Sequence, residues 1–220
     1  MSVDSYHYLV DTFKKNRSGI SAGVFSICSA NPFVIKAGLQ EALSRDSYVV
    51  IEATCNQVNQ FGGYTGMTPN DFCKYLGFIA LEVGFDFDKI ILGGDHLGPY
   101  PWRHLAADQA MNYAEQMVKD YAAVGFQKIH LDASMRCADD PQDVLLSNEI
   151  IAKRAVRLCR AIEDQVISTD AIAKPVYVIG TEVPVPGGQQ EVEESVQVTR
   201  VEDVDATIAI HQAAFIEAGL

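Results

Sequence analysis

Short apolar runs alternate along the chain with longer stretches in which apolar positions recur every three or four residues. The runs lie at 23–28, 48–54, 89–92, 127–132 and 176–180, and apart from Gln127-Lys128-Ile129-His130-Leu131-Asp132 they are mainly apolar rather than alternating with polar residues. That pattern predicts strands buried on both faces, as in a parallel sheet covered by helices. The periodic stretches predict a helix after each run: from Asn31-Pro32 to Leu43, from Thr68 to Gly84, over 107–124, over 148–164 and over 204–218. Asn31 before Pro32 reads as a cap followed by a first-turn proline. Thr68 with Asp71 three residues on reads as a capping box, and Gly84 and Gly125 read as C-terminal stops. One more helix, over 5–15, precedes the first strand and is expected to lie across one end of the sheet.

Five β-then-α units in series define an α/β fold. A doubly wound open sheet would place a glycine-rich phosphate turn after the first strand, but Ser29-Ala30-Asn31-Pro32 has no glycine. A (β/α)8 TIM barrel gathers polar residues at the C-terminal ends of several strands. Here those ends carry Ser29 and Asn31, Glu52 and Asn56, Asp95 and His96, Asp132, and Glu182. The pattern therefore predicts the barrel. Five strands alone would leave two open parallel edges and an unfilled interior. Residues 1–220 are accordingly expected to form a single domain, the N-terminal part of a truncated barrel about three β/α units short of closure.

Asp95-His96 sets an acid/base group beside an imidazole suited to Zn²⁺ and other divalent transition metals. Neighbouring side chains on a regular strand point to opposite faces, a rule that a frayed strand end relaxes. A turn-capping Asp next to a half-buried His is the alternative. His130-x-Asp132 has the period-two spacing that directs both side chains to one face. Two such groups inside a barrel are costly unless hydrogen-bonded or bound to something, so a structural pair is the alternative there. Glu52 and Glu182 each place a lone carboxylate at the end of an apolar run, and the set predicts one convergent polar site. The loop over 55–67 adds four carboxamides, Asn56, Gln57, Asn59 and Gln60, with Gly62, Gly63 and Gly66. Carboxamides donate and accept, which suits a polyhydroxylated ligand, and glycines allow close backbone approach. Loops this long act more often as lids than as spacers, the alternative being a surface loop held by its own side chains. Gly187-Gly188 is a weak phosphate signal, and the glutamates of 191–194 read as a solvated acidic turn.

Composition narrows the function classes. The formal net charge of −12 argues against a nucleic-acid binder. It still permits an anionic small molecule held by local N–H groups or single cations. No run approaches the ~18–20 apolar residues that span a bilayer, and the N-terminus lacks the basic-then-apolar order of a signal peptide; no membrane association is expected. The five cysteines are widely spaced, with no C-x-x-C pair, which reads as reduced thiols of a cytoplasmic protein. Cys55 and Cys137 lie in polar loops, as nucleophiles or as small apolar fillers, and no histidine is adjacent to either. The absence of G-x-x-x-x-G-K-[ST] argues against a kinase.

Four stretches together resemble a known family: "IEATCNQVNQFGGYTGMTP", "ILGGDHLGPYPW", "KIHLDASMRCADDP" and "YVIGTEVPVPGG". They are similar to the tagatose-bisphosphate aldolase non-catalytic subunits (GatZ/KbaZ-like), formerly labelled tagatose 6-phosphate kinase. The likeness runs across all 220 residues in order, departing at Cys55 and Tyr100, where Ser and Asn are expected. It implies a class II aldolase-like barrel, a component of a D-tagatose-1,6-bisphosphate aldolase complex in galactitol and N-acetylgalactosamine breakdown. By the same likeness His96 is a metal ligand, Asp95 the acid/base group and Glu182 a second ligand. The ion would be Zn or Mn, with further ligands beyond residue 220. The implied partners are a sugar-phosphate substrate and a catalytic class II aldolase subunit, with self-association also allowed. The alternative is a metal-dependent 4-epimerase interconverting tagatose 6-phosphate and fructose 6-phosphate by retro-aldol/aldol chemistry. Glu52 or Asp132 would then supply the base, and Asn56, Gln57, Asn59, Gln60 and His130 would bind substrate.

Overall fold

A computed structural model describes residues 3–141, 143, 146–169, 174–180 and 200–220. Its strands are β1 (Ser26–Cys28), β2 (Val49–Thr54), β3 (Ile90–Leu97), β4 (Lys128–Leu131) and β5 (Val176–Ile179). They form one parallel sheet in the order β1-β2-β3-β4-β5. The helices are α1 (Val3–Arg17), α2 (Pro32–Ser44), α3 (Pro69–Val83), α4 (Ala107–Val124), α5 (Asn148–Thr169) and α6 (Val201–Glu217). Local chemistry sets their ends as expected. Asn31 accepts the N–H groups of Phe33 and Val34, Thr68 and Asp71 form a reciprocal capping box, and Gly84 and Gly125 end their helices. Each such cap is worth about 1 kcal/mol.

The two faces of the sheet are unlike. Val49, Ile51, Ala53, Ile90, Leu92, Ile129 and Leu131 share one buried cluster with the inner sides of α2 to α5, including Leu39, Phe72, Met117 and Leu158. Residues one step out of phase face the other way. At the N-terminal end of that second face, Val50 and Ile91 pack under Leu9 of α1, and Ser5 exchanges hydrogen bonds with Gln127. The first helix thus covers one end of the sheet, as the sequence predicts. Toward the C-terminal end the same face turns polar: Glu52, Thr54, Asp95, Lys128 and His130 follow Val50 and Ile91 at period two.

Three expectations need correction. The first strand spans only Ser26–Cys28, and Ser26 and Cys28 are exposed rather than buried on both faces, because among the described residues β1 has a neighbour on one side only. Val178 and Ile179 of β5, at the opposite edge, are exposed for the same reason. The third strand does not stop at Leu92 but continues through Gly93-Gly94-Asp95-His96 to Leu97, since β2 and β4 pair with it on both sides.

Just past that strand, Gly98 lies so close to β4 that a Cβ there would sit 1.6 Å from the Asp132 carbonyl oxygen. Backbone on the neighbouring strand cannot move aside as a flexible side chain can. Gly98→Ala should therefore destabilise the fold by about 3 kcal/mol, at the upper end of ordinary overpacking costs. Urea denaturation should show a lowered midpoint with an unchanged slope.

Candidate functional site

The polar end of the second face is assembled by an irregularity in β3. Gly94 pairs with Ile129 and Leu97 with Leu131, so β3 uses one more residue than β4 over the same span. This is a β-bulge. His96 absorbs it with a φ of 49°, in the left-handed region that non-glycine residues rarely adopt. The bulge breaks the alternation of side chains, so Asp95 and His96, adjacent in sequence, both reach the His130–Asp132 side of the sheet. Gly93 makes room for Glu52 on the neighbouring strand: a Cβ at 93 would lie 2.6 Å from the Glu52 Cγ.

The resulting network alternates acids and bases. Glu52 accepts from the Ser26 hydroxyl at 2.5 Å and from Lys128 Nζ at 2.6 Å. Lys128 also lies 3.6 Å from Asp95 Oδ1. Asp95 Oδ1 is 3.2 Å from His130 Nδ1, and Asp132 Oδ2 is 2.9 Å from His96 Nδ1. The Ser134 hydroxyl and N–H both donate to the other Asp132 oxygen. The two imidazoles stand side by side, ring centroids 4.6 Å apart.

Electrostatics settle the protons. Burial raises the Asp95 carboxyl, but the His130 hydrogen bond and the Lys128 and His96 charges outweigh it and hold it at about 2. Burial likewise raises Asp132, and bonds from His96 and Ser134 bring it below the ordinary carboxylate range. The Asp132 hydrogen bond raises His96 above its usual value. Both aspartates are thus carboxylates, which only accept, so each Nδ1 carries the donating hydrogen. In the neutral imidazole each Nε2 is then a lone-pair donor to something else. His130 Nε2 is buried with no hydrogen-bond partner among the described residues.

Ligand atoms of Asp95, His96 and His130 lie within 4.8 Å of one another, a set that could hold a metal ion. The donor chemistry fits: two imidazoles oriented through Nδ1 by carboxylates, with Nε2 left for the ion, match the arrangement that metal-binding histidines adopt. His130, expected at the substrate, lies in this set instead.

Of the five groups expected to converge, Glu52, Asp95, His96 and Asp132 do so, and Glu182 lies outside the described residues, as do Gly187, Gly188 and residues 191–194. The carboxamides divide. Gln57 reaches toward the rim, its Oε1 accepting from the Thr54 N–H at 2.9 Å and lying 3.9 Å from the Cys28 thiol. Asn56 is half-buried beside it. Asn59 bonds to its own loop, through Cys55, Phe61 and Gly63. Gln60 donates to the Tyr113 carbonyl of α4. Asn59 and Gln60 therefore hold the loop rather than face the site. Cys55 and Cys137 are buried and their thiols pushed up by burial, as fillers are. Lys128 and Ser26 escaped the sequence reading. The signal for Lys128 was present, since it shares the period-two register of His130 and Asp132.

The chain matches the family described as "D-tagatose-1,6-bisphosphate aldolase subunit GatZ/KbaZ-like" over residues 9–220. The chain belongs to this GatZ/KbaZ-like family. It is 52% identical over 210 residues to the D-tagatose-1,6-bisphosphate aldolase subunit GatZ of Klebsiella pneumoniae, covering 96% of this chain and 49% of that protein. It is 52% identical over 207 residues to the subunit of the same name from Escherichia coli, covering 94% and 48%. A solved structure titled a probable tagatose 6 phosphate kinase from Sinorhizobium meliloti superposes with a TM-score of 0.77 at 49% identity, covering 90% of this chain and 45% of that one. The chain thus spans about half the length of the curated GatZ relatives it matches.

The Glu52–Lys128 pair is almost enclosed, with side chains 5% and 16% exposed. Lys128→Met should leave a buried carboxylate without its cation and destabilise this GatZ/KbaZ-like fold by about 3 kcal/mol. Adding Glu52→Gln should recover part of that loss. Chemical denaturation of the single and double variants measures both.

Proposed function

We propose that this chain supplies five β/α units of a (β/α)8, class II aldolase-like barrel that acts as a subunit of D-tagatose-1,6-bisphosphate aldolase in tagatose-phosphate catabolism. Family membership over residues 9–220 supports the assembly role. The sequential strand order, with α2 to α5 sharing one buried cluster on one face, is the arrangement expected of a barrel. Its partner is a catalytic class II aldolase subunit, its ligand a sugar phosphate and its compartment the cytoplasm. The observation that carries the chemical reading is the pair of carboxylate-held imidazoles, His96 and His130, with Nε2 left for an ion. His96 and His130 would hold Zn²⁺ or Mn²⁺, with Asp95 within reach and Glu182 as a further ligand. When bound, the ion polarises the carbonyl of a ketose.

The chain's own residues divide the remaining work. Asp132 fixes the tautomer and direction of His96. Glu52 is tied to Lys128 and Ser26. Asp95, with a side chain 20% exposed against 5% for Glu52 and 2% for Asp132, is the carboxylate best placed to take a proton from a bound hydroxyl. Lys128 adds a positive charge beside it.

A second reading is the 4-epimerase, and the completeness of this acid–imidazole cluster favours it, because a purely accessory subunit needs none of it. The proton of the sugar's 4-hydroxyl would pass to Asp95 and the C3–C4 bond would open to an aldehyde and an enediolate. The aldehyde would turn, the bond re-form on its other face, and the proton return to oxygen.

The full-length protein should raise cleavage of D-tagatose 1,6-bisphosphate by the catalytic subunit. Turnover of fructose 6-phosphate by the Mn²⁺-loaded protein alone, abolished in Asp95→Asn and His96→Ala, would instead establish the epimerase. A separate measurement addresses the metal reading: Asp132→Asn should weaken Mn²⁺ binding by roughly 10–100-fold in equilibrium dialysis. Unchanged affinity would remove His96 from the ligand set.

A further inference from the structure

The outer face of α3 carries apolar surface that the core does not use. Phe72, Leu76, Ile79 and Ala80 point inward and are buried. On the opposite side Lys74, Phe78 and Leu81 recur at the three- and four-residue spacing that aligns side chains along one face of a helix. Phe78 is 72% exposed and Leu81 80%. The patch continues onto α2. Lys36 bridges to Glu82 at 2.5 Å, and Phe33, one turn before Lys36, is 79% exposed. Exposed apolar residues scattered singly are ordinary, but three large ones on two helices tied by an ion pair form a patch of the kind that marks an interaction site.

The charges around this patch have a direction. Glu82 stands in the last turn of α3, which holds no basic residue. Its carboxylate therefore sits at the negative end of the helix dipole, where a cation is favoured. Lys74 stands at the other end of the stripe and forms no salt bridge among the described residues. Its charge acts on Asp71, but that carboxylate is held by the Thr68 hydroxyl and N–H. Phe78 lies midway between Lys74 and Glu82. A helix face with a cation at one end, an anion at the other and apolar residues between is complementary to its own reverse. A two-fold axis near Phe78 sets Lys74 of each copy toward Glu82 of the other and packs Phe78 and Leu81 of both between them, as an isologous contact requires. Lys36 and Lys74 also balance Asp71 and Glu82, although the chain carries −12, so the repulsion that resists self-association is low at this face.

We propose that the outer face of α3 joins two copies of this chain in an antiparallel α3–α3 contact, with Phe33, Phe78 and Leu81 as its apolar part. The contact is independent of whichever reaction the site at the strand ends performs. Its anchoring side chains are few, which puts it among small, reversible interfaces rather than obligate ones.

Sedimentation equilibrium of the full-length protein over a concentration series should show reversible monomer–dimer exchange. Leu81→Asp should raise the dimer Kd by roughly tenfold or more, as loss of an interface anchor does. The substituted positions are exposed, where effects on stability are small, and circular dichroism checks that each variant is folded. The charges give a sharper readout. Lys74→Glu alone sets acid against acid at both ends of the contact, and Glu82→Lys alone sets lysine against lysine, so each variant should stay monomeric at concentrations where the wild type pairs. Mixed together, the two variants regain opposite charges at both ends and should associate with each other. A protein that is monomeric at every concentration overturns the proposal, as does a dimer unaltered by Leu81→Asp. Failure of the mixed variants to pair overturns the antiparallel arrangement. If Leu81→Asp releases the catalytic aldolase subunit while self-association persists, the face belongs to that partner and the proposal fails.

Discussion

Three carboxylates on one face of a parallel sheet are the constraint around which the rest of the molecule is arranged. Glu52 and Asp132 are buried and Asp95 is half-buried, and uncompensated buried charges would cost several kcal/mol each. The structure answers with a cationic or imidazole partner for each, Lys128 for Glu52, His130 for Asp95 and His96 for Asp132, and adds the Ser26 and Ser134 hydroxyls to Glu52 and Asp132. The solution is local to β2, β3 and β4, the three strands with neighbours on both sides. It leaves the buried His130 Nε2 without a hydrogen-bond partner among the described residues, while His96 Nε2 lies 3.8 Å from Asp95 Oδ2.

The same demand explains the glycines and the bulge. Gly93 lacks a side chain because Glu52 occupies the space one would take, and Gly98 because β4 comes too near. The extra residue in β3 puts His96 in a strained backbone region, at a cost of order 1–3 kcal/mol. Such strain persists where surrounding pairing over-determines it, here through β2 on one side and β4 on the other.

The GatZ/KbaZ-like relatives run to about twice the length of the chain, while the acid–imidazole cluster is built entirely within three adjacent β/α units.

Much of this was legible in the chain alone. Apolar runs that do not alternate can be satisfied only by a sheet covered on both faces, so they determined parallel strands. Asn31-Pro32, Thr68 with Asp71, and Gly84 determined helix ends, because caps act over three or four residues. The period-two pairing of His130 with Asp132 placed both on one face for the same local reason. Tertiary structure alone decided the rest. Whether Asp95 and His96 share a face depends on a bulge, which exists only relative to the register of β4. Lys128 is a cation anywhere, and became a site residue only when β2 brought Glu52 to it. Asn59 and Gln60 looked like ligand-binding carboxamides, yet one bonds its own loop and the other a carbonyl of α4. Short-range sterics and caps are written in neighbouring residues, whereas the partner of a buried charge is chosen by strands that lie far apart in sequence.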